Sequence, residues 1–484
     1  MLSVKKLSIA CIFTSLLFTM CKKRDDLNAG SGTVSGSFSS FSMGNIIRGS
    51  DSAVITWSPS TFSVSSQAVK YKVRLDNGVV EYLDTVRQCV LRNLSHTTSY
   101  NGSVIAYVAN GDSSATSFSL KQYNGFLIIG RTDVTQNQNV VEAYDVFSGD
   151  RLWRTKVSDY FQTVFTEPEI SNDTVFINAN QKSQNLFFAL SLKTGQLYYS
   201  SITGNSNTLG QLTYSEGRIF SVYNTTLIAI NTKNGAVIWN KFASGGLGFS
   251  AKTFIKDNIV YAATTSGIPG LQYKLYAMDV TAGTTKWEFP YDGEFYGTCY
   301  PDGKNLYFTT ATGIYCIDAI TGTLVWKRNN DNNFKAGGQL VIVNNAIIFS
   351  GPRYYGVYCI DKLNGTTLWN YKNASYLQST ISYGNGLVYF NEIETNFPYT
   401  NNLLTALNVQ TGNPAWSKSS NYMFTLFAGN RIYSRSNMRS DIEVTNATDG
   451  AKIFRMMNPG NYYVDNLTRF SLVIDEKYYF FPAF

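Results

Sequence analysis

The residues able to do chemistry in this 484-residue chain are few, and their scarcity excludes more than it offers. There is one histidine, His96. A histidine base, a Ser-His-Asp triad and an imidazole zinc site are thereby excluded from the rest of the chain. None of the six cysteines is adjacent to another, and none opens a Cys-x-x-Cys-His haem attachment. Asp and Glu total 33, and several of the aspartates fall in turns. Paired-carboxylate catalysis stays open, but sequence alone sets no two carboxylates about 5–10 Å apart. The run Asn329-Asn330-Asp331-Asn332-Asn333 carries oxygen ligands without the Asp-x-Asp-x-Asp-Gly spacing or the closing glutamate of a calcium loop, so it reads as solvated. No metal and no cofactor is expected. The net charge of +7 is scattered, with no basic block beyond Lys22-Lys23-Arg24, which argues against nucleic acid as a partner.

Binding or assembly is what remains, and the elements that would carry it are legible. Residues 1–20 have the form of an export signal: Lys5 and Lys6, then an apolar run from Leu7 to Met20 that is too short to span a bilayer. Leu17-Phe18-Thr19-Met20-Cys21 resembles a bacterial lipoprotein signal, which implies lipidation of Cys21 and a membrane anchor. Residues 21–35 read as a polar tether. Their Lys22-Lys23-Arg24-Asp25-Asp26 start is similar to the charged tails of Bacteroidetes lipoproteins. The resemblance implies an outer membrane location, on the periplasmic or the cell-surface side.

Residues 36–121 show short alternating strands, among them Ala53–Trp57, Lys70–Leu75 and Ser103–Val108. Leu94, Thr98 and Tyr100, with Trp57 upstream, resemble a fibronectin type III domain. In that fold the tyrosine hydroxyl ties a corner back to the backbone. Of the remaining cysteines, Cys316 and Cys359 occupy the same slot in neighbouring repeats and read as small core residues.

From residue 122 to 484 one phrase recurs: an apolar strand, a polar residue, a Thr-Gly-type turn, and an aromatic four residues past the glycine. The glycines are Gly149, Gly195, Gly235, Gly283, Gly322, Gly365, Gly412 and Gly450, spaced 38 to 48 residues apart. Such a period with strand content predicts a ring of four-stranded blades, since a single blade cannot bury both of its faces. The polar residue can accept from turn amides, and glycine supplies the left-handed backbone. The aromatic is Trp153, Trp239, Trp287, Trp326, Trp369 and Trp416, with Tyr199 and Phe454 in the second and eighth copies. Six of the seven tryptophans thus share one slot, so they read as structural blade-docking residues and not as a ligand array.

The phrase resembles the quinoprotein-type repeat, seen in Leu275-Tyr276-Ala277-Met278-Asp279 through Gly283 to Trp287. The fold class is all-β: a small immunoglobulin or fibronectin III-like sandwich, then a quinoprotein-like propeller of eight blades, with seven as the alternative. Quinone-dependent dehydrogenases of this fold carry an adjacent cysteine pair, which the chain lacks. In anchor and repeats it is similar to the propeller lipoproteins of the outer-membrane β-barrel assembly machinery, which implies binding of a partner protein or envelope component without catalysis. Surface glycan binding is the alternative, with a glycan-active or quinone-dependent enzyme behind it. If the Thr-Gly turns share one face, loop aromatics share the other: Tyr160, Tyr291, Tyr296, Arg353, Tyr354, Tyr355, Tyr376 and Tyr399 are the candidate binding face.

Overall fold

The computed structural model describes residues 36–480 apart from short stretches, the longest of them 266–271, 394–401, 436–441 and 457–468. The export segment, Cys21 and the tether lie outside the described residues. The chain divides into two compact units, with the boundary between Asn124 and Gly125.

In the first unit, strands Met43–Arg48, Ala53–Trp57 and Gln88–Leu91 form one sheet. Strands Val80–Leu83, Lys70–Leu75, Tyr100–Tyr107 and Ser113–Leu120 form a second. Alternation decides what is inside: Ala53, Ile55 and Trp57 point inward from their strand, and Tyr71, Val73 and Leu75 meet them from the other sheet. The Tyr100 hydroxyl accepts a hydrogen bond from the Ser95 amide at 2.9 Å, which ties that corner to the backbone.

The described strands of the second unit form eight sheets of four or five antiparallel strands, a β-propeller. Each turn glycine sits between the last two strands of its sheet, at φ between +68° and +80°. At that φ a side chain other than hydrogen is strained. Asp318 shows why a polar residue precedes the turn: its Oδ1 accepts from the amides of Ile320 and Thr321 at 2.9 and 2.8 Å. Asp145, Asn231, Asp279, Asp361, Asn408 and Asn446 each accept from the amide two residues on in the same way. The glycine amide bonds back to the carbonyl of the polar residue, and a β-bulge starts the outer strand.

Sheets join through the aromatic at glycine plus four. The Trp153 Nε1 donates to Leu192 O of the next sheet at 2.8 Å, and Trp239, Trp287, Trp326, Trp369 and Trp416 repeat the bond at 2.9 to 3.2 Å. The ring of each lies over the next sheet's turn glycine. A Cβ on Gly322, for example, would stand 2.6 Å from Trp287 Cδ2. Apolar clusters fill each consecutive joint from the first two sheets to the last two.

Closure uses different residues. The C-terminal strand Arg469–Ile474 pairs with Gly125–Asp133, so the end of the chain completes the first sheet. Phe454 stands in the tryptophan slot, against Gly149, and has no donor to offer. The carbonyl of Val146, the counterpart of Leu192 O, accepts instead from Arg431 Nη1 at 3.0 Å and the Tyr433 hydroxyl at 3.3 Å. A buried backbone acceptor left unpaired is costly, so the arginine compensates for the lost indole.

Candidate functional site

The innermost strands of the sheets surround the ring axis, and their direction sets which residues reach its two ends. Ser171 pairs with Thr174, and Thr174 with Ser191, the residue that opens the Thr-Gly turn. The first strand therefore ends at the Thr-Gly face and begins at the opposite one. Three residues occupy the same level, four positions before that end, in consecutive sheets: Glu167, Gln211 and Lys252. Glu169 stands two positions further in than Glu167, on the same face of its strand. Together they form a polar cluster part-way along the first strands, between the two ends of the ring.

Buried hydrogen bonds hold the cluster from behind. The Thr166 amide donates to Asn178 O at 3.0 Å, and the Gly210 amide to Val222 O at 2.7 Å. Asn178 Nδ2 donates to Ser221 Oγ at 3.3 Å, which donates on to Gly210 O at 3.1 Å. Asn178 and Ser221 are fully buried, so the residues that carry Glu167 and Gln211 are fixed by a buried polar brace. In front of the brace, Gln211 Nε2 donates to Glu167 Oε2 at 2.9 Å, and the Tyr214 amide donates to Glu169 Oε1 at 3.2 Å.

Burial pushes the Glu169 carboxyl up to about 8, against the pull of the Tyr214 amide and of Lys252 and with a push from Glu167. Burial likewise lowers Lys252, opposed by Glu167 and Glu169. The native state thus holds a proton on Glu169 that the unfolded chain releases near 4.5. The stabilisation from this proton is complete below about 4.5 and is lost as pH rises through about 8. The melting temperature of wild type is expected to fall across that window relative to Glu169→Gln, which keeps the neutral shape; parallel pH profiles would show that Glu169 ionises freely.

A family model described as outer membrane protein assembly factor BamB matches residues 124–328 and 310–431, well over half of the chain. The chain belongs to the BamB family. No curated protein matches it. Among solved structures, it is similar to AztD from Citrobacter koseri, with 14% identity, a TM-score of 0.50, and coverage of 71% of this chain and 97% of that one. The dihydro-heme d1 dehydrogenase NirN, determined in complex with DHE, matches with 11% identity and a TM-score of 0.55 over 71% and 75% of the two chains. BamB from Moraxella catarrhalis matches with 15% identity and a TM-score of 0.48 over 69% and 92%. At these identities the AztD and NirN matches speak for the propeller fold alone.

Within this BamB-family propeller the candidate aromatic face fares unevenly. Tyr291 is a correction: it is the last residue of strand Thr285–Tyr291, 3% exposed, and its hydroxyl donates to Thr264 O. It packs edge-on against Phe308, so it is core and has no surface to present. Tyr296 is half-buried near the start of strand Phe295–Asp302, on the side opposite the Thr-Gly turns. Burial and Glu294 push its hydroxyl up. Tyr376 opens strand Tyr376–Leu377. Tyr160, Arg353, Tyr354, Tyr355 and Tyr399 lie outside the described residues. The Asn329–Asn333 loop spends its oxygens on itself: Asp331 Oδ1 accepts from the amides of Asn333 and Phe334 at 2.7 and 2.8 Å.

The residues of this polar cluster were not anticipated. Glu167, Gln211 and Lys252 share no residue type, and only a common register, four before the end of each first strand, relates them.

Proposed function

We propose that the chain is a non-catalytic envelope protein, anchored through lipidated Cys21 in the outer membrane of a Gram-negative bacterium, whose propeller binds a protein partner in an assembly role. The observation that carries this reading is membership of the BamB family across residues 124–431. The fibronectin III-like unit serves as a spacer between anchor and ring. The face opposite the Thr-Gly turns is taken as the docking side, because the first strand that carries Tyr296 begins there. Thiol chemistry finds no support: Cys89, Cys299, Cys316 and Cys359 are buried and unpaired, and burial pushes Cys316 up to about 11 and Cys359 to about 12.

The test is affinity purification of the full chain from detergent-solubilised envelopes. One envelope protein should accompany it in near-equal amount. The reading fails if the chain emerges alone, retains only a polysaccharide, or reduces a dye acceptor when supplied with pyrroloquinoline quinone and calcium.

A further inference from the structure

The joint between the seventh and eighth sheets departs from the six before it. In sheets two to seven the residue just before the polar turn residue is Leu190, Ile230, Met278, Ile317, Ile360 or Leu407, each wholly buried against the preceding sheet. The eighth sheet has Thr445 there, on the same face as Ile432, which packs on the seventh. Thr445 is 4% exposed, and its Oγ1 has no hydrogen-bond partner among the described residues. Two positions earlier, sheets four, five and six bury a tyrosine ring, Tyr276, Tyr315 or Tyr358, where the eighth sheet has Glu443. The fold therefore requires neither the hydroxyl nor the carboxylate, and a buried hydroxyl without a partner is costly to keep.

A cleft of about 360 Å³ lies at these positions, between the outer two strands of the two sheets. Leu404 and Lys418 line it from the seventh sheet, and Glu443, Thr445, Gly450 and Lys452 from the eighth. In three earlier joints the residue six past the turn glycine reaches the next glycine's carbonyl. Thr155 and Ser201 donate to Gly195 O and Gly235 O at 2.6 and 3.0 Å, and Arg328 Nη1 donates to Gly365 O at 2.7 Å. Lys418 stands in that slot and lays its stem on Gly450, where a Cβ would meet Lys418 Cγ at 2.8 Å. Glu443 Oε2 accepts from Lys452 Nζ at 2.8 Å, whereas Lys418 makes no hydrogen bond or ion pair among the described residues. The cleft thus offers an exposed cation, an unpartnered hydroxyl at depth, and a carboxylate with lone pairs to spare for a donor.

We propose that this cleft binds a small polyhydroxy acid, a single sugar ring that carries a carboxylate. The ligand's carboxylate pairs with Lys418, and its hydroxyls are shared between Thr445 Oγ1 and Glu443. A bare inorganic anion has no hydroxyl to give Glu443, and a neutral sugar leaves Lys418 without a counter-charge. Ligand pockets run from about 300 to 1,000 Å³, so a cleft at the lower end suits one ring and not an oligomer or a large cofactor. Such a ring exists as a free sugar acid and as one unit of an acidic polysaccharide. The site does not depend on the protein-binding reading, and either can fail without the other.

The probe is D-glucuronate, titrated into the full chain in detergent by calorimetry, with D-glucose and acetate as the two halves of its chemistry. Saturable binding is expected, with glucose and acetate each at least about tenfold weaker. Lys418→Met should weaken glucuronate roughly tenfold or more. Thr445→Val, which restores the aliphatic residue of the other sheets, should weaken it by a similar factor while the melting temperature holds or rises. Methyl β-D-glucuronide separates the two sources: binding equal to the free acid assigns the cleft to a chain-linked unit, and weaker binding assigns it to the free sugar acid. The proposal is overturned by no saturable binding of either glucuronate, by glucose or acetate binding as tightly, or by undiminished binding in both variants. A lower melting temperature for Thr445→Val would overturn it too, by showing that the hydroxyl serves the fold.

Discussion

Replacing Glu142 with alanine is expected to lower the stability of the propeller by about 3–5 kcal/mol, read as a fall in denaturant midpoint by tryptophan fluorescence. Glu142 is fully buried in strand Gln138–Asp145 and accepts from Arg131 Nε at 2.8 Å, Arg131 Nη2 at 3.1 Å and the Tyr144 hydroxyl at 2.9 Å. Arg151 and Arg154 approach the same carboxylate at 3.4 and 3.6 Å. Strand pairing puts Arg131, Asp133, Glu142 and Tyr144 on one face of the first sheet, while Ile128, Val141 and Ala143 on the other face pack on the second sheet. The ionic set therefore lies on the face turned toward the eighth sheet, at the closure seam. Without Glu142, the Arg131 guanidinium stays 4% exposed and, among the described residues, has only Asp133 at 3.7 Å for a counter-charge. The cost comes from that stranded charge and not from the value of the pair, so Arg131→Met combined with Glu142→Leu should recover most of the loss. A single-variant loss below about 1 kcal/mol would show that the seam is solvated and the account of closure wrong.

Gly322→Ala is expected to cost about 2–4 kcal/mol, from two sources that a second variant separates. The φ of +71° strains any side chain, and the new Cβ would stand 2.6 Å from Trp287 Cδ2 and 2.8 Å from Cε3. Trp287 cannot simply move, because its Nε1 is bonded to Ala319 O at 3.2 Å. Gly386 has a similar φ of +75° with nothing within 4 Å of its Cβ position. Gly386→Ala should therefore cost about 1 kcal/mol, the backbone strain alone. Equal losses in chemical denaturation would mean that the indole does not lock one sheet to the next.

The propeller was legible because its repeats are backbone requirements. A φ near +70° admits glycine, the polar residue before it must accept turn amides, and an aromatic at glycine plus four must fill the next sheet's turn. Each demand leaves a narrow class of residue at one spacing. The binding face is different in kind. Tyrosine serves core and loop equally well, so nothing in its own identity distinguished Tyr291, whose strand runs on to bury it, from Tyr296, half-buried at the start of its strand. Glu167, Glu169, Gln211 and Lys252 meet only after three sheets are stacked, and their spacing in sequence has no fixed value to recognise. The substitution of Arg431 for the missing indole donor was hidden for the same reason: it restores a bond to Val146 across the closure, 285 residues away.

The most direct test of the account is site-specific photo-crosslinking in intact cells, comparing the two faces of the ring. One crosslinker replaces Glu294, exposed beside Tyr296 on the side away from the Thr-Gly turns; the other replaces Ile320, 72% exposed in a Thr-Gly turn on the opposite side. The account predicts one discrete adduct with an envelope protein from Glu294 and none from Ile320. An adduct from Ile320 alone, or none from either position, would contradict it.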